Sequence, residues 1–120
     1  MKRQILVLAA LFIGVLAARP ALADDYYGSI AFSTNSGALG WAYDYGSQGD
    51  AENEAVSQCG AGCVSVLWFK NACGAIATSS NHSYGAAWAT SHEAAEASAM
   101  QYCQQNASDC SVERWVCTTR

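Results

Sequence analysis

Proline is almost missing from this 120-residue chain: its one copy, Pro20, lies near the N-terminus, and none follows. No linker, coiled coil or low-complexity tract interrupts the remainder. Basic residues are scarce as well, with six Lys and Arg against ten Asp and Glu. Nucleic acid and anionic membrane both draw on Lys and Arg, so an acidic chain is a poor match for either. Histidine occurs twice, as His82 and His92, and the G-x-S-x-G elbow of serine hydrolases does not occur. The long apolar stretch is confined to the N-terminus.

That N-terminal stretch has the layout of an export signal. Lys2 and Arg3 form a charged start, Ile5 to Ala18 an apolar run, and Ala21-Leu22-Ala23 a cleavage site. Arg19-Pro20 interrupts it, and the run is too short to span a bilayer. The expected division is a signal peptide at 1–23 and a single domain at 24–120, with no membrane span after cleavage. Cleavage would remove Lys2, Arg3 and Arg19, leaving three basic residues against ten acidic ones. The expected location is secreted or periplasmic.

The chain repeats itself. Gly28-Ser-Ile-Ala-Phe-Ser-Thr-Asn-Ser36 matches Gly74-Ala-Ile-Ala-Thr-Ser-Ser-Asn-His82. Ala51, Ala55 and Cys59 match Ala95, Ala99 and Cys103, and Cys63 to Trp68 match Cys110 to Trp115. Repeat one covers about 27–72 and repeat two about 73–118. Each begins with two alternating stretches joined by an Asn-containing turn. A helix follows, with small residues at i, i+4 and i+8, and then another strand. Ser47 is suited to cap the first helix, and Thr90 or Ser91 the second, where Thr90-x-x-Glu93 fits a capping box. Val64 to Phe69 is apolar on both faces and predicts a central strand. The fold class expected is α+β: two ββαβ repeats packed as a pseudo-symmetric pair, an antiparallel-rich sheet with two helices, stapled by disulfides.

Six cysteines in an exported domain of this size read as disulfides rather than metal ligands. The repeat selects among the 15 pairings that six allow. Cys59 and Cys63 correspond to Cys103 and Cys110, so each pair closes within its own copy. Cys73 and Cys117 have no counterparts, because Tyr27 and Lys70 stand in the equivalent places. They are left for each other.

The framework Cys63…Trp68-Phe69-x-Asn71-x-Cys73-Gly74-Ala75-x-Ala77, then an Ala-rich helix ending at Cys103, then Cys110…Trp115-Val116-Cys117, resembles the domain of unknown function 4189 family. The resemblance runs from about Tyr27 to Cys117. It implies a small exported bacterial protein of α+β fold with two interlocked halves. It brings no reaction, cofactor or catalytic residue.

Candidate chemistry is thin. His92-Glu93-Ala-Ala-Glu96 lacks the second histidine of a zinc-protease helix, and Glu96 repeats Glu52 of the first copy, so no metal is expected. Paired-carboxylate hydrolysis has Asp44, Glu52, Glu96 and Glu113 to draw on, with Asp44 between Tyr43 and Tyr45 the best placed. Glu113 and Arg114 replace Val66 and Leu67 of the first copy and suggest an exposed edge. Trp41, Trp68, Trp88 and Trp115 read as core. Tyr26, Tyr45 and Tyr84, near strand ends, together with Asp44, are the candidate binding residues. The expected function is a secreted, non-enzymatic protein-binding module without cofactor, its partner an unidentified protein. The alternatives are a cell-wall glycan binder or hydrolase using the same hairpin face, and a structural envelope protein.

Overall fold

The computed structural model describes residues 25–120; the expected signal peptide lies outside them. Eight elements follow in order: β1 (Tyr27–Phe32), β2 (Leu39–Tyr45), α1 (Gln48–Cys59), β3 (Val64–Lys70), β4 (Cys73–Thr78), β5 (Tyr84–Ala89), α2 (His92–Gln104) and β6 (Ser111–Cys117). They form two ββαβ-like units, each with its own antiparallel three-stranded sheet, ordered β2-β1-β3 and β5-β4-β6.

Side-chain size decides the layering. Ile30, Phe32, Phe69, Ile76 and Val116 are buried together between the two sheets, with Leu39, Trp41, Leu67, Tyr84 and Ala86 around them. The other face of β1, β2, β4 and β5 carries mostly small residues where it meets a helix, whereas the edge strands β3 and β6 carry Trp68 and Trp115 there. Ala31 and Ala42 pack on Ala55 of α1, and Ala75, Ala77 and Ala87 pack on Ala95, Ala99 and Cys103 of α2. The order of layers is therefore helix, sheet, sheet, helix. Within it β1 faces β4, β3 faces β5 and β2 faces β6, as a two-fold relation between the copies requires.

Two glycine pairs set the spacing. A Cβ on Gly40 would lie 2.2 Å from the carbonyl oxygen of Ala55, and one on Gly85 would lie 2.3 Å from that of Ala99. These positions seat each helix against its sheet. Between the sheets, a Cβ on Gly28 or Gly74 would fall within 2.5 Å of the Phe69 ring, so one phenylalanine occupies the space over both central strands.

Both helices start on serine caps. Ser47 Oγ accepts from the N–H of Asp50, and Ser91 Oγ accepts from that of Ala94. The second cap is thus Ser91, and Thr90 does not build the capping box. Three disulfides, Cys59–Cys63, Cys73–Cys117 and Cys103–Cys110, staple the fold. The two short ones join a helix end to the next strand. The long one links the paired first residue of β4 and last residue of β6.

Two expectations need correction. β3 is an edge strand, not a central one: β1 is the middle of its sheet. β3 reads as apolar on both faces because Leu67 and Phe69 meet the second sheet, while Trp68 lies half-exposed on the other face at the margin of α1. The tryptophans are not mainly core. Trp88 is 58% exposed, and Trp68 and Trp115 are each 43% exposed. Alternation marks a shared face, but it does not say whether a neighbour covers the end of that face.

Glycine substitutions separate these constraints. Gly40→Ala should cost about 3 kcal/mol, the upper range for overpacking, because backbone atoms of α1 block the new Cβ. Gly49→Ala, in the first turn of α1 with nothing within 4 Å, should instead stabilise by about 0.5–1 kcal/mol. Denaturant midpoints measure both. In the loop before β6, the Ser80 hydroxyl and backbone N–H both donate to Asp109 and hold its carboxyl below the usual range. Ser80→Ala should raise that pKa, read by NMR titration. The stabilisation Asp109 gives is present above the ordinary carboxylate range and fades as pH falls through its folded pKa.

Candidate functional site

The two copies differ most where the sheets meet at their flanks. Ile30 of β1 is paired with Trp41 on one side and Leu67 on the other. Ile76 of β4 is paired with Ala86 and Arg114. Stacking the sheets brings Trp41 over Arg114 on one flank and Leu67 beside Ala86 on the other. The first flank is filled: the Arg114 guanidinium lies 3.8 Å from the Trp41 ring centre. On the second, the methyl group of Ala86 stands where the other copy has an indole, and a groove of about 500 Å³ opens. Val66, Leu67, Trp68, Phe69, Lys70 and Trp88 line it.

This groove is apolar except for Lys70. Its lining holds no carboxylate, amide or hydroxyl to meet sugar hydroxyls. Trp88 stands half-exposed at it, while Trp68, paired with Ser29 on the helix-facing side of β3, turns its ring towards Tyr27 at 6.3 Å. A half-exposed tryptophan beside an apolar hollow is the kind of residue that dominates contact with an apolar partner side chain.

Lys70 connects the groove to a second, smaller cleft. Its ammonium lies 3.7 Å from Asp25, and Asp25 joins Tyr26, Asp44, Tyr45 and Gly46 around a space of about 190 Å³. Three of the four sequence candidates, Tyr26, Asp44 and Tyr45, therefore come together here. Asp44 has a left-handed backbone, φ 64°, and its carboxylate accepts from the N–H of Thr119. The Arg120 guanidinium lies over the Tyr26 ring at 5.0 Å. Tyr84 is elsewhere: its ring packs on Phe32, 5.4 Å away, beside the β4–β5 turn.

The flank of α2 and β6 holds the His92 pattern. His92 Nδ1 lies 2.6 Å from Glu96 and Nε2 lies 3.4 Å from Glu93, and the ring stacks on Trp115 at 3.8 Å. Both ring nitrogens face carboxylates. In the first copy the equivalent glutamate, Glu52, accepts from Ser65, which also meets Ser29. The depression at Glu96, Val112, Glu113, Arg114 and Trp115 is wider than the groove, about 660 Å³. Its Glu96 and Arg114 are already partnered, by His92 and Trp41. Among the described residues, no three His, Cys, Asp or Glu side chains form a metal-sized group, and no helix is long and apolar enough to cross a membrane.

Sequence reasoning missed the groove. Half of its signal, Leu67 in place of Arg114, is visible in the repeat; the other half, Ala86 in place of Trp41, needs the strand register. The flanking offsets of 46 and 44 set Trp41 against Ala87 or Gly85.

The family model for the domain of unknown function DUF4189 matches residues 27–117. Protein Rv1269c of Mycobacterium tuberculosis and Protein Mb1300c of Mycobacterium bovis are each 46% identical over 57 residues, 48% of this chain and 45% of theirs. The chain thus spans about half the length of the curated relatives it matches. The NMR structure of Rv1813c from Mycobacterium tuberculosis is 25% identical, with a TM-score of 0.58, covering 82% of this chain and 80% of that one.

If the half-exposed Trp88 serves contact rather than stability, Trp88→Ala should cost under about 1 kcal/mol, against about 3–5 for a core tryptophan. Urea unfolding of the oxidised protein measures the difference.

Proposed function

The chain belongs to the domain of unknown function 4189 family, small exported bacterial proteins, and from that premise we propose that it is a non-enzymatic module that binds another protein outside the cytoplasm. The observation that carries this reading is the groove between β3 and β5, an apolar hollow with the half-exposed Trp88 at its mouth. Tryptophan is over-represented among residues that dominate binding energy, and an apolar hollow accepts an anchor side chain. The Lys70–Asp25 pair extends the face towards Tyr26, Tyr45 and Asp44. That cleft supplies polar rim contacts around the apolar centre, the usual anatomy of a protein interface. Tyr84, packed on Phe32 beside the β4–β5 turn, lies outside this face.

The disulfides fit the role. They hold a thin core rigid in an oxidising compartment, so the contact face is formed before the partner arrives. Periplasmic retention would put the partner in the envelope, and release would put it outside the cell.

The oxidised domain, immobilised and exposed to envelope and culture fractions, should retain one protein in near-equal amount. Trp88→Ala should release it, and Tyr102→Ala, an exposed aromatic on α2, should not. A clean monomer that retains no protein, or a partner indifferent to Trp88, would overturn the proposal.

A further inference from the structure

The four sheet edges are not protected alike. α1 lies over β2 and β1, and α2 over β5 and β4, so the β2 and β5 edges are partly roofed by helices. β3 and β6 are the less covered edges and occupy equivalent places in the two copies. β6 carries Glu113 and Arg114, the charges that natural edge strands use to prevent pairing with other chains. β3 has Val66 and Leu67 in the same places. Both strands carry a bulge there, since Val66 and Glu113 fall at the register shifts. Past its bulge, β3 pairs regularly with β1 from Leu67 to Lys70, and among the described residues no strand lies on its other side.

We propose that this outer edge is a strand-addition site. An extended segment of a partner protein pairs with Leu67–Lys70, places one apolar side chain in the groove beside Trp88, and sets a carboxylate against Lys70. The proposal rests on the protein-binding reading above and specifies its mode.

Three features select this occupant. Backbone groups along an open edge supply hydrogen bonds to any extended chain, and pockets beside them read alternate side chains. The groove lies between β3 and β5, so a residue of an added strand that points towards the second sheet enters it. The charge fits as well: among the residues of β3 and β5, Lys70 is the one charge, in a chain otherwise rich in acid. Its present partner, Asp25, is half-exposed and displaceable. In an antiparallel addition the acidic residue stands at the N-terminal end of the partner segment. A second copy of this chain is a poorer fit, because it would bring another lysine to an edge that offers no carboxylate of its own.

The test uses a capped peptide of about eight residues, the length of an ordinary strand, alternating valine and threonine around one phenylalanine, with aspartate first. NMR titration of the oxidised protein should shift the amides of Leu67 to Lys70 and the indole of Trp88, and should slow hydrogen exchange along β3. Methylating alternate peptide nitrogens leaves the side chains intact but removes the ladder, and should weaken binding by about tenfold or more. Lys70→Glu should weaken it too, and a peptide with lysine first should restore it. Equal binding of the methylated and plain peptides would overturn strand addition while leaving the groove as a contact site. So would the absence of any β3 shift at about 1 mM peptide, a weak-binding limit. Dimerisation through β3 in sedimentation would overturn it in favour of a second copy.

Discussion

One phenylalanine ring constrains the whole molecule. Phe69 lies fully buried where the two central strands face each other, over Gly28 of one sheet and Gly74 of the other. A Cβ on either glycine would collide with it, so neither copy tolerates a side chain at that place. The ring also cannot be duplicated. Its counterpart in the second copy is Val116, a smaller residue. A pair of like repeats packed face to face must place unlike residues at their contact, because two phenylalanines would compete for one volume. Asymmetry is therefore built in at the centre, and the flanks inherit it.

The flanks then diverge in character. Trp41 and Arg114 close one with a cation over an indole, and the charges on β6 make that side unwelcoming to other chains. Leu67 and Ala86 leave the other open and nearly uncharged. The same backbone plan thus yields one sealed flank and one receptive one. No helix or strand had to move, since the difference lies in side-chain size at positions set by pairing with Ile30 and Ile76. The small residues on the opposite faces of both sheets do the complementary work. Gly40, Gly85 and the alanine stripes hold each helix close and rigid, so the groove is borne on elements that do not yield.

Much of this was legible in the chain. The block from Gly28 to Ser36 and its echo from Gly74 to His82 gave two ββαβ units, and the alternation of Leu39 to Tyr45 gave a hairpin strand at its observed limits. What failed had a common cause. Leu67 and Phe69 are covered by the second sheet while Val64 and Trp68 stay exposed, so apolar residues on both faces of Val64 to Phe69 do not imply a central strand. The tryptophans read as core because their size and alternation are those of core residues, but Trp88 lies where the opposing sheet runs out, and Trp68 and Trp115 lie on the helix-facing sides of edge strands, half outside the cover of the helices. The groove itself is a register effect: Ala86 stands opposite Ile76, and a repeat offset that drifts from 46 to 44 leaves the counterpart of Trp41 undetermined by one residue either way. Tyr26, Asp44 and Tyr45 could be grouped by their place at strand ends, whereas Tyr84 shared that place and was turned inward on Phe32 by the second hairpin.

The bond between Cys73 and Cys117 has a mechanical side. It ties the first residue of β4 to the last of β6, so the second copy is a closed covalent ring with its ends at one point. Tension applied through the two ends of the domain would pass across that point and leave the ring slack. Only the first copy could be drawn out, to a contour of roughly 145 Å for the about 42 residues that the Cys59–Cys63 bridge does not bypass. A domain pulled between an anchor and a captured partner would lose β1, β2 and β3 while the second half kept its shape. The half that extends is the half that carries β3.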